Sequence, residues 1–504
     1  MEAAPTTGVP DLRRRILRGL AWVGASQVGL QITRALVAVA VARMLTPAEY
    51  GLAALALVFS SLVLIFSDLA LGAALIQRKT LSAVDKDTAF WVTAASGVVF
   101  TVLGVVFAGP LAGLYGEPDA KPLLAALSAT FLIAAIGAPQ QSLMLRDMDF
   151  RRVEMLPMAG AIVGGIVAVT AAALGAGAWA IILQYMVTTV VTTVLVWLRS
   201  TWRPRFAFSL ASLRDLGGFS IYMLGHRMLF YTQVNGDRFL IGKFLSTSAL
   251  GVYAVAYNTM LVPASKIGAP LQRVFSPAFS RIQDEPERIA ATWARVTRLM
   301  AAVSVPALAG LMVVAPDFVP VVLGDQWDEA VPVVQILAWV GIVQALQVLN
   351  SDILMARDRT RTMFRFSLVL TSAHLIAFSS GLHWGVVGVA TAYAISTTLV
   401  EPFQTVLAAR ALHVSPLVFF RSVSGVFQAA VGMCAVVLLV RLGLEDAGVN
   451  QIARLLICIA AGAVVYGALC LWRVPELADE ARNLVRRRLP ASPKLTSAAA
   501  VAES

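Results

Sequence analysis

Fourteen apolar runs, each 20 to 30 residues long, follow one another from residue 20 to residue 473 with short polar breaks between them. A bilayer core about 30 Å thick is spanned by about 20 apolar residues in a helix. The runs lie near 20–44, 50–75, 88–112, 121–144, 154–175, 177–198, 216–242, 249–273, 294–323, 330–354, 362–381, 383–409, 418–441 and 451–473. The breaks at 175–177 and 381–383 are so short that each flanking pair must form a tight hairpin. Hydrophobic residues make up 58% of the chain and charged residues 14%, against about 45–50% and about 25% in soluble domains. Too few charges remain to cover a water-exposed surface, which excludes a soluble enzyme. The expected fold is an all-α integral membrane protein of about 14 transmembrane helices.

The polar breaks alternate in charge, as the bias of Lys and Arg toward cytoplasmic loops requires. Arg13, Arg14, Arg15 and Arg18 precede the first run. Arg78, Lys79 and Lys86 follow the second, Arg146, Arg151 and Arg152 the fourth, and Arg199, Arg203, Arg205 and Arg214 the sixth. The same holds after the eighth, tenth, twelfth and fourteenth runs, so that 30 of the 40 cations fall on one side. Two breaks on the other side are acidic, with Glu117 and Asp119 in one and Asp325, Asp328 and Glu329 in the other. Both termini are therefore expected in the cytoplasm. The net charge of +11 is explained by these loops and implies no nucleic acid. The first run, about 25 residues, is too long for a signal-peptide core and lacks a clear small-residue cleavage site, so a retained span is expected.

The two halves resemble each other at an offset of about 200 residues. Leu45–Leu52 (LTPAEYGL) answers Leu245–Val252 (LSTSALGV), Leu143–Asp147 (LMLRD) answers Leu354–Asp358 (LMARD), and Tyr185–Thr189 (YMVTT) answers Tyr393–Thr397 (YAIST). Three matches in order, each at the equivalent span, argue for a duplicated six-helix unit. Six is even, so both copies enter the membrane in one orientation, a parallel repeat of the kind found in secondary transporters. The organisation this predicts is a basic N-terminus at 1–19, a first lobe at 20–198 and a linker at 199–215. A second lobe follows at 216–409, then two further helices at 410–473 and a basic tail at 474–504. One chain supplies both lobes, so a monomer suffices.

Charged groups within the runs are costly in lipid and point to a cavity or to partners. Gln27, Gln31 and Arg34 recur on one face of the first span, and Arg227, Tyr231 and Arg238 share a face of the seventh. Thr259, Lys266 and Arg273 fall at heptad spacing on the eighth. Arg34, Arg227 and Lys266 lie roughly 15–25 Å from the outer helix ends at 1.5 Å per residue. They are candidates for a cationic cavity that receives an anionic head group, with Gln27, Gln31, Tyr231 and Thr259 as its polar face. The competing reading pairs Asp68 with Lys266 and Asp237 with Arg238 and lets Arg238 and Arg273 snorkel to the interface. Asp68, Asp237 and Glu401 are candidates for coupling to a proton or sodium gradient. Glu401 in the twelfth span is a weaker candidate, as is Asp352 in the tenth; the alternative for each is a cap on a helix break, near Pro402 or at the LMARD turn.

Enzymatic signals are missing from the sequence. His226, His374, His383 and His413 are scattered, and no phosphate-binding glycine loop, nucleophile elbow or zinc motif is present. Cys434, Cys458 and Cys470 have no metal-ligand spacing. No cofactor is expected.

Four separated segments are similar, in order, to bacterial polysaccharide exporters: FSDLALGAALIQRK (Phe66–Lys79), GDRFLIGKFLSTSALGVYAVAYN (Gly236–Asn258), SPAFSRIQDEPER (Ser276–Arg288) and LGDQWDEAVPVVQIL (Leu323–Leu337). The chain thus resembles the lipid-linked-oligosaccharide flippases of the multidrug/oligosaccharidyl-lipid/polysaccharide exporter superfamily, in the O-antigen and colanic-acid-type branch. Ala70 stands where that family usually has glycine. The resemblance implies two six-helix lobes around a cationic cavity in the bacterial inner membrane. It also implies alternating access and passage of a polyprenyl-diphosphate-linked oligosaccharide, with membrane lipid and the glycan polymerase machinery as neighbours. The alternatives are a cation-coupled multidrug exporter of the same superfamily, a membrane glycan polymerase or ligase, and a scaffold without transport. Net basic deep residues disfavour the first, and the longest external loop, about a dozen residues, leaves no room for the second.

Overall fold

The computed structural model describes residues 29–67, 71–78, 80–216, 221–261, 263, 279, 282 and 284–474. Within them the chain is almost wholly helical. Residues 29–44 form α1, and α2 (Pro47–Ser67) and α3 (Leu71–Gln77) follow. Next come α4 (Ala83–Tyr115), α5 (Ala120–Arg146), α6 (Phe150–Ala173), α7 (Trp179–Arg199) and the short α8 (Leu210–Leu216). The second half holds α9 (Ile221–Phe244), α10 (residues 247–261), α11 (Pro286–Phe318), α12 (Ala330–Gln347) and α13 (Asn350–Ala356). It continues with α14 (Thr360–Gly381), α15 (Gly385–Val400) and α16 (Pro402–Ala411), and ends with α17 (Leu417–Asp446) and α18 (Gln451–Arg473). Among the described residues, nine helical stretches are long and apolar enough to cross a membrane, one of them running from Thr360 to Ala411.

Where the fourteen apolar runs are described they coincide with helix, but several ends differ from the hydropathy limits for local chemical reasons. The third span starts at Ala83 because Ser82 and Asp85 close a reciprocal cap: Asp85 N–H donates to Ser82 Oγ (3.1 Å) and Ser82 N–H to Asp85 Oδ2 (3.0 Å). It runs on to Tyr115 and stops at Gly116, whose φ of 70° a side chain would resist. The ninth span begins at Pro286, so Arg288, Arg295 and Arg298 lie on the helix and not in a loop. The twelfth divides between α15 and α16 because Pro402 has no N–H to donate and its ring displaces the carbonyl one turn back. The tenth divides between α12 and α13, where Asn350 Nδ2 donates to Gln347 Oε1 and to Thr405 Oγ1 (3.0 Å).

Packing repeats with the sequence. In the first half α4 packs on α5, α6 on α7 and α5 on α7; in the second, α11 packs on α12, α14 on α15 and α12 on α15. The first helix of each half also docks alike. Val37, Val41 and Leu45 of α1 sit against Gly165, Ala168 and Ala172 of α6. Gln233 Nε2 of α9 donates to Thr371 Oγ1 of α14 at 2.7 Å and to the Ser367 carbonyl at 3.1 Å. Outside the repeat, α17 and α18 pack on each other and on α11. Asp317, fully buried, fixes that attachment by accepting from Arg441 Nε (2.7 Å) and Arg454 Nε (2.8 Å).

Candidate translocation site between the lobes

Turns between α1 and α2, α4 and α5, α9 and α10, and α11 and α12 gather at one end of the molecule, and there the lobes are sealed together. The duplicated motif supplies the closest approach. A Cβ built at Gly51 would lie 1.7 Å from the Thr247 carbonyl oxygen, and one at Gly251 would lie 1.9 Å from that of Pro47. Bare glycine backbone is what lets α2 and α10 meet, the usual device of close helix crossings in lipid. Beside the crossing, Arg43 donates to the carbonyls of Val321 and Val322 (Nε to Val322, 2.8 Å). Trp327 Nε1 donates to the Ala42 carbonyl at 2.8 Å, Gln326 Nε2 reaches the same carbonyl at 3.1 Å, and the Tyr50 and Trp327 rings meet edge to face at 5.5 Å. On the other flank Thr247 Oγ1 donates to Glu117 Oε1 at 3.2 Å and Lys243 to the Leu114 carbonyl.

From this seal a crevice of about 310 Å³ extends between α1, α2, α10 and α11, lined by Ala38, Tyr50, Asn258, Thr259 and Phe318 among others. Asn258 Nδ2 donates to the Tyr50 hydroxyl at 3.3 Å. Thr259 Oγ1 donates back to the Val255 carbonyl at 2.8 Å. Tyr231 spans the lobes, its hydroxyl donating to the Val58 carbonyl at 2.9 Å. Arg34 is exposed on α1, one residue before Ala35 of the crevice wall, and Gln31 is half-buried one turn earlier. Gln27, Asp68 and Lys266 lie outside the described residues, as does the side chain of Arg227.

The remaining candidates fall in the second lobe. Asp237 is buried and accepts from the Tyr253 hydroxyl at 2.7 Å and from the Arg238 N–H at 2.7 Å. The Arg238 guanidinium lies over the Tyr257 ring, 4.6 Å from its centroid. Glu401 is buried at the α15–α16 break, and among the described residues its Oε2 has no hydrogen-bond partner. Asp352 is half-buried in the first turn of α13.

Residue types and spacing did not single out several neighbours. Gln344 Nε2 donates to the Tyr393 hydroxyl at 2.7 Å, and His374 is buried edge-on to Tyr393 at 5.0 Å with neither ring nitrogen bonded among the described residues. Trp293 Nε1 donates to Asn350 Oδ1 at 3.1 Å. Being ionisable within an apolar run, His374 carried a usable signal. Of the seal residues, Gln326 and Trp327 fall within LGDQWDEAVPVVQIL, a segment similar to polysaccharide exporters, and Arg43 carried no signal. Among the described residues, no cluster of three or more His, Cys, Asp or Glu could hold a metal.

Known proteins share this architecture. The lipid II flippase MurJ in its inward closed conformation superposes with a TM-score of 0.73 at 14% identity, over 90% of this chain and 99% of that one. An inward-facing multidrug resistance transporter of the MATE family gives 0.51 at 15% identity, over 76% and 94%. The teichuronic acid biosynthesis protein TuaB of Bacillus subtilis is 29% identical over 93% of this chain and 98% of its own. The lipopolysaccharide biosynthesis protein WzxC of Escherichia coli is 29% identical over 79% and 80%, and the succinoglycan biosynthesis transport protein ExoT of Rhizobium meliloti 26% over 95% and 97%. The family model described as "Polysaccharide biosynthesis protein" matches residues 40–332, more than half of the chain, and with the two-lobed helical fold this makes the chain a member of the polysaccharide biosynthesis protein family.

Proposed function

We propose that the protein is a flippase that moves a polyprenyl-diphosphate-linked polysaccharide repeat unit across the bacterial inner membrane by alternating access. The observation that carries the reading is the near-complete overlap with polysaccharide exporters on a fold whose two lobes, among the described residues, are sealed together at one end. With both termini in the cytoplasm, that end faces outward, and the lobes are closed to the outside. The glycan-diphosphate head enters from the cytoplasm toward Arg34, Arg227 and Lys266, whose guanidinium and ammonium groups suit phosphate or uronate oxygens. The polyprenyl tail stays in lipid along α17 and α18, where an apolar groove of about 450 Å³ runs between these helices and α11. Parting of α2 from α10 then exposes the head outside. No bond is made or broken, so a gradient drives the cycle, with Asp237 and Glu401 as the groups that take up a proton or sodium ion.

Cells lacking the protein are expected to accumulate lipid-linked precursor on the cytoplasmic leaflet and to lose surface polysaccharide. Wild type restores both; Arg34→Ala, Arg227→Ala and Lys266→Ala, at equal protein level, do not. Normal surface glycan together with altered drug tolerance in the deletion would refute the reading and favour a multidrug exporter.

A further inference from the structure

At the opposite end of the helices from the seal, three spans each bring an arginine to one cavity. Arg298 of α11, Arg421 of α17 and Arg473 of α18 border a space of about 490 Å³ with Ser422, Ser424 and Gln428. Local packing assembles them. A Cβ at Gly425 would meet the Val474 methyl at 2.8 Å and the Arg473 carbonyl oxygen at 3.2 Å, so the bare backbone of α17 lets the end of α18 press in one turn from Arg421. The Ser422 and Ser424 hydroxyls donate to carbonyls of their own helix at 2.7 and 2.9 Å and can rotate to donate elsewhere.

Charge balance distinguishes this end from the other. Arg441 and Arg454, at the far ends of the same two helices, are balanced by Asp317 and Glu445. No ion pair among the described residues engages Arg421 or Arg473. The guanidiniums of Arg421 and Arg473, at one cavity, repel each other unless an anion sits between them. The rim fixes the depth. Phe420, Leu471 and Trp472 are 45%, 64% and 70% exposed, and Arg473 stacks on the Trp472 ring at 4.3 Å. Exposed tryptophan beside arginine marks the membrane–water boundary, where the abundant anions are lipid phosphates and where basic pockets between helices hold phosphate head groups.

We propose that this cavity is a binding site for a lipid phosphate of the inner leaflet, gripped by Arg298, Arg421 and Arg473. Only the leaflet rests on the topology proposed above; the phosphate chemistry is independent of which glycan is carried. Two lipids present that chemistry, an anionic phospholipid and a polyprenyl diphosphate.

Native mass spectrometry of the purified full-length protein, titrated separately with phosphatidylglycerol, phosphatidylcholine and undecaprenyl diphosphate, tests the site. An anionic lipid is expected to bind at least tenfold more tightly than phosphatidylcholine. Arg421→Gln and Arg473→Gln should each weaken it roughly tenfold, with Arg421→Lys retaining part of the affinity. Preference for phosphatidylglycerol assigns the site to membrane lipid, and preference for undecaprenyl diphosphate assigns it to substrate arriving at the transporter. Equal affinity for all three lipids, or wild-type affinity in the doubly substituted protein, overturns the proposal. Photocrosslinking of wild type with a headgroup-diazirine phosphatidylglycerol needs no variant. Adducts should map to residues 417–428 and 470–474, and adducts confined elsewhere refute the site.

Discussion

Replacing Gly251 by alanine should open the outer seal, because the new methyl carbon has nowhere to go. Its Cβ would stand 1.9 Å from the Pro47 carbonyl oxygen, and the equivalent carbon at Gly51 would stand 1.7 Å from that of Thr247. Carbon and carbonyl oxygen approach no closer than about 3.3 Å, so α2 and α10 must part by roughly 1.4–1.6 Å. The obstacle in each case is backbone, which cannot rotate aside. A shift of that size stretches the 2.8 Å bonds from Arg43 to Val322 and from Trp327 to Ala42 beyond hydrogen-bonding range. Two or three such bonds contribute about 0.5–1.5 kcal/mol each, so the closed state loses about 2–3 kcal/mol. At 1.4 kcal/mol per decade the open population rises roughly 30- to 140-fold. The readout is the labelling rate of Ala42→Cys, at a position only 2% exposed, by a membrane-impermeant maleimide added outside the cell. Cys434, Cys458 and Cys470 are replaced beforehand. Gly51→Ala and Gly251→Ala should each raise the rate by that factor, and the pair together by little more, since both act on one contact. Gly443→Ala, with nothing within 4 Å of the added carbon, serves as the neutral control. An unchanged labelling rate in folded Gly251→Ala protein would refute the crossing as the element that holds the seal.

Asp317→Ala strands Arg441 and Arg454 without their buried counter-charge and should cost about 3–5 kcal/mol, seen as a lowered midpoint of thermal unfolding in detergent and earlier proteolysis of α17 and α18. Tyr253→Phe deprives buried Asp237 of its hydroxyl donor and should lower stability by about 1–3 kcal/mol, measured in the same assay. Glu401→Gln keeps the shape of the α15–α16 break and removes its charge; flipping in proteoliposomes should then lose its dependence on the ion gradient while binding of the lipid-linked substrate persists.

Hydropathy located the spans among the described residues because a bilayer asks one question of each 20-residue stretch, whether it can shed water. The same property hides what a span touches. Gly51 and Gly251 were visible as corresponding letters of LTPAEYGL and LSTSALGV, yet nothing in either octapeptide says that the two face each other across 200 residues. That follows only from the axis relating the copies. The break at Glu401–Pro402 was legible from the proline, which lacks an N–H to donate. The break after Gln347 was not: both halves of that helix are apolar, and mean hydropathy does not register the side-chain bonds that Asn350 makes to Gln347 and Thr405. Arg43 shows the limit most plainly. By sequence it is a cation on the less basic side; by structure its two donors close the space between lobes, to carbonyls nearly 280 residues away.

The two copies have kept one packing plan and divided the chemistry. Among the described residues, the buried acids of the first lobe, Asp85 and Asp87, sit in the first turns of α4. There they hold the N-terminal cap and accept from the Arg205 N–H of the linker (Asp87 Oδ1, 3.0 Å). Deep in the helices that lobe relies on close backbone contact: Gly160 and Gly164 of α6 against Thr192 and Thr188 of α7, and Gly97 against Ala135. In the second lobe, buried within the helices, Asp237 accepts from Tyr253, His374 packs on Tyr393 and Glu401 sits at the α15–α16 break. A lobe tied by glycine contacts moves as one body, since tight packing leaves no slack to absorb a displacement. Under the proposed coupling, strain from a change of charge in the second lobe passes to the crossing of α2 and α10. Tyr231 bridges α9 to the Val58 carbonyl of α2, two turns of helix from Gly51 and less than two from Asp237. That bridge gives the buried carboxylate a short mechanical route to the seal, and Tyr231→Phe should uncouple them. Labelling at Ala42→Cys would then stop responding to the ion gradient, and persistence of the response would place the coupling elsewhere.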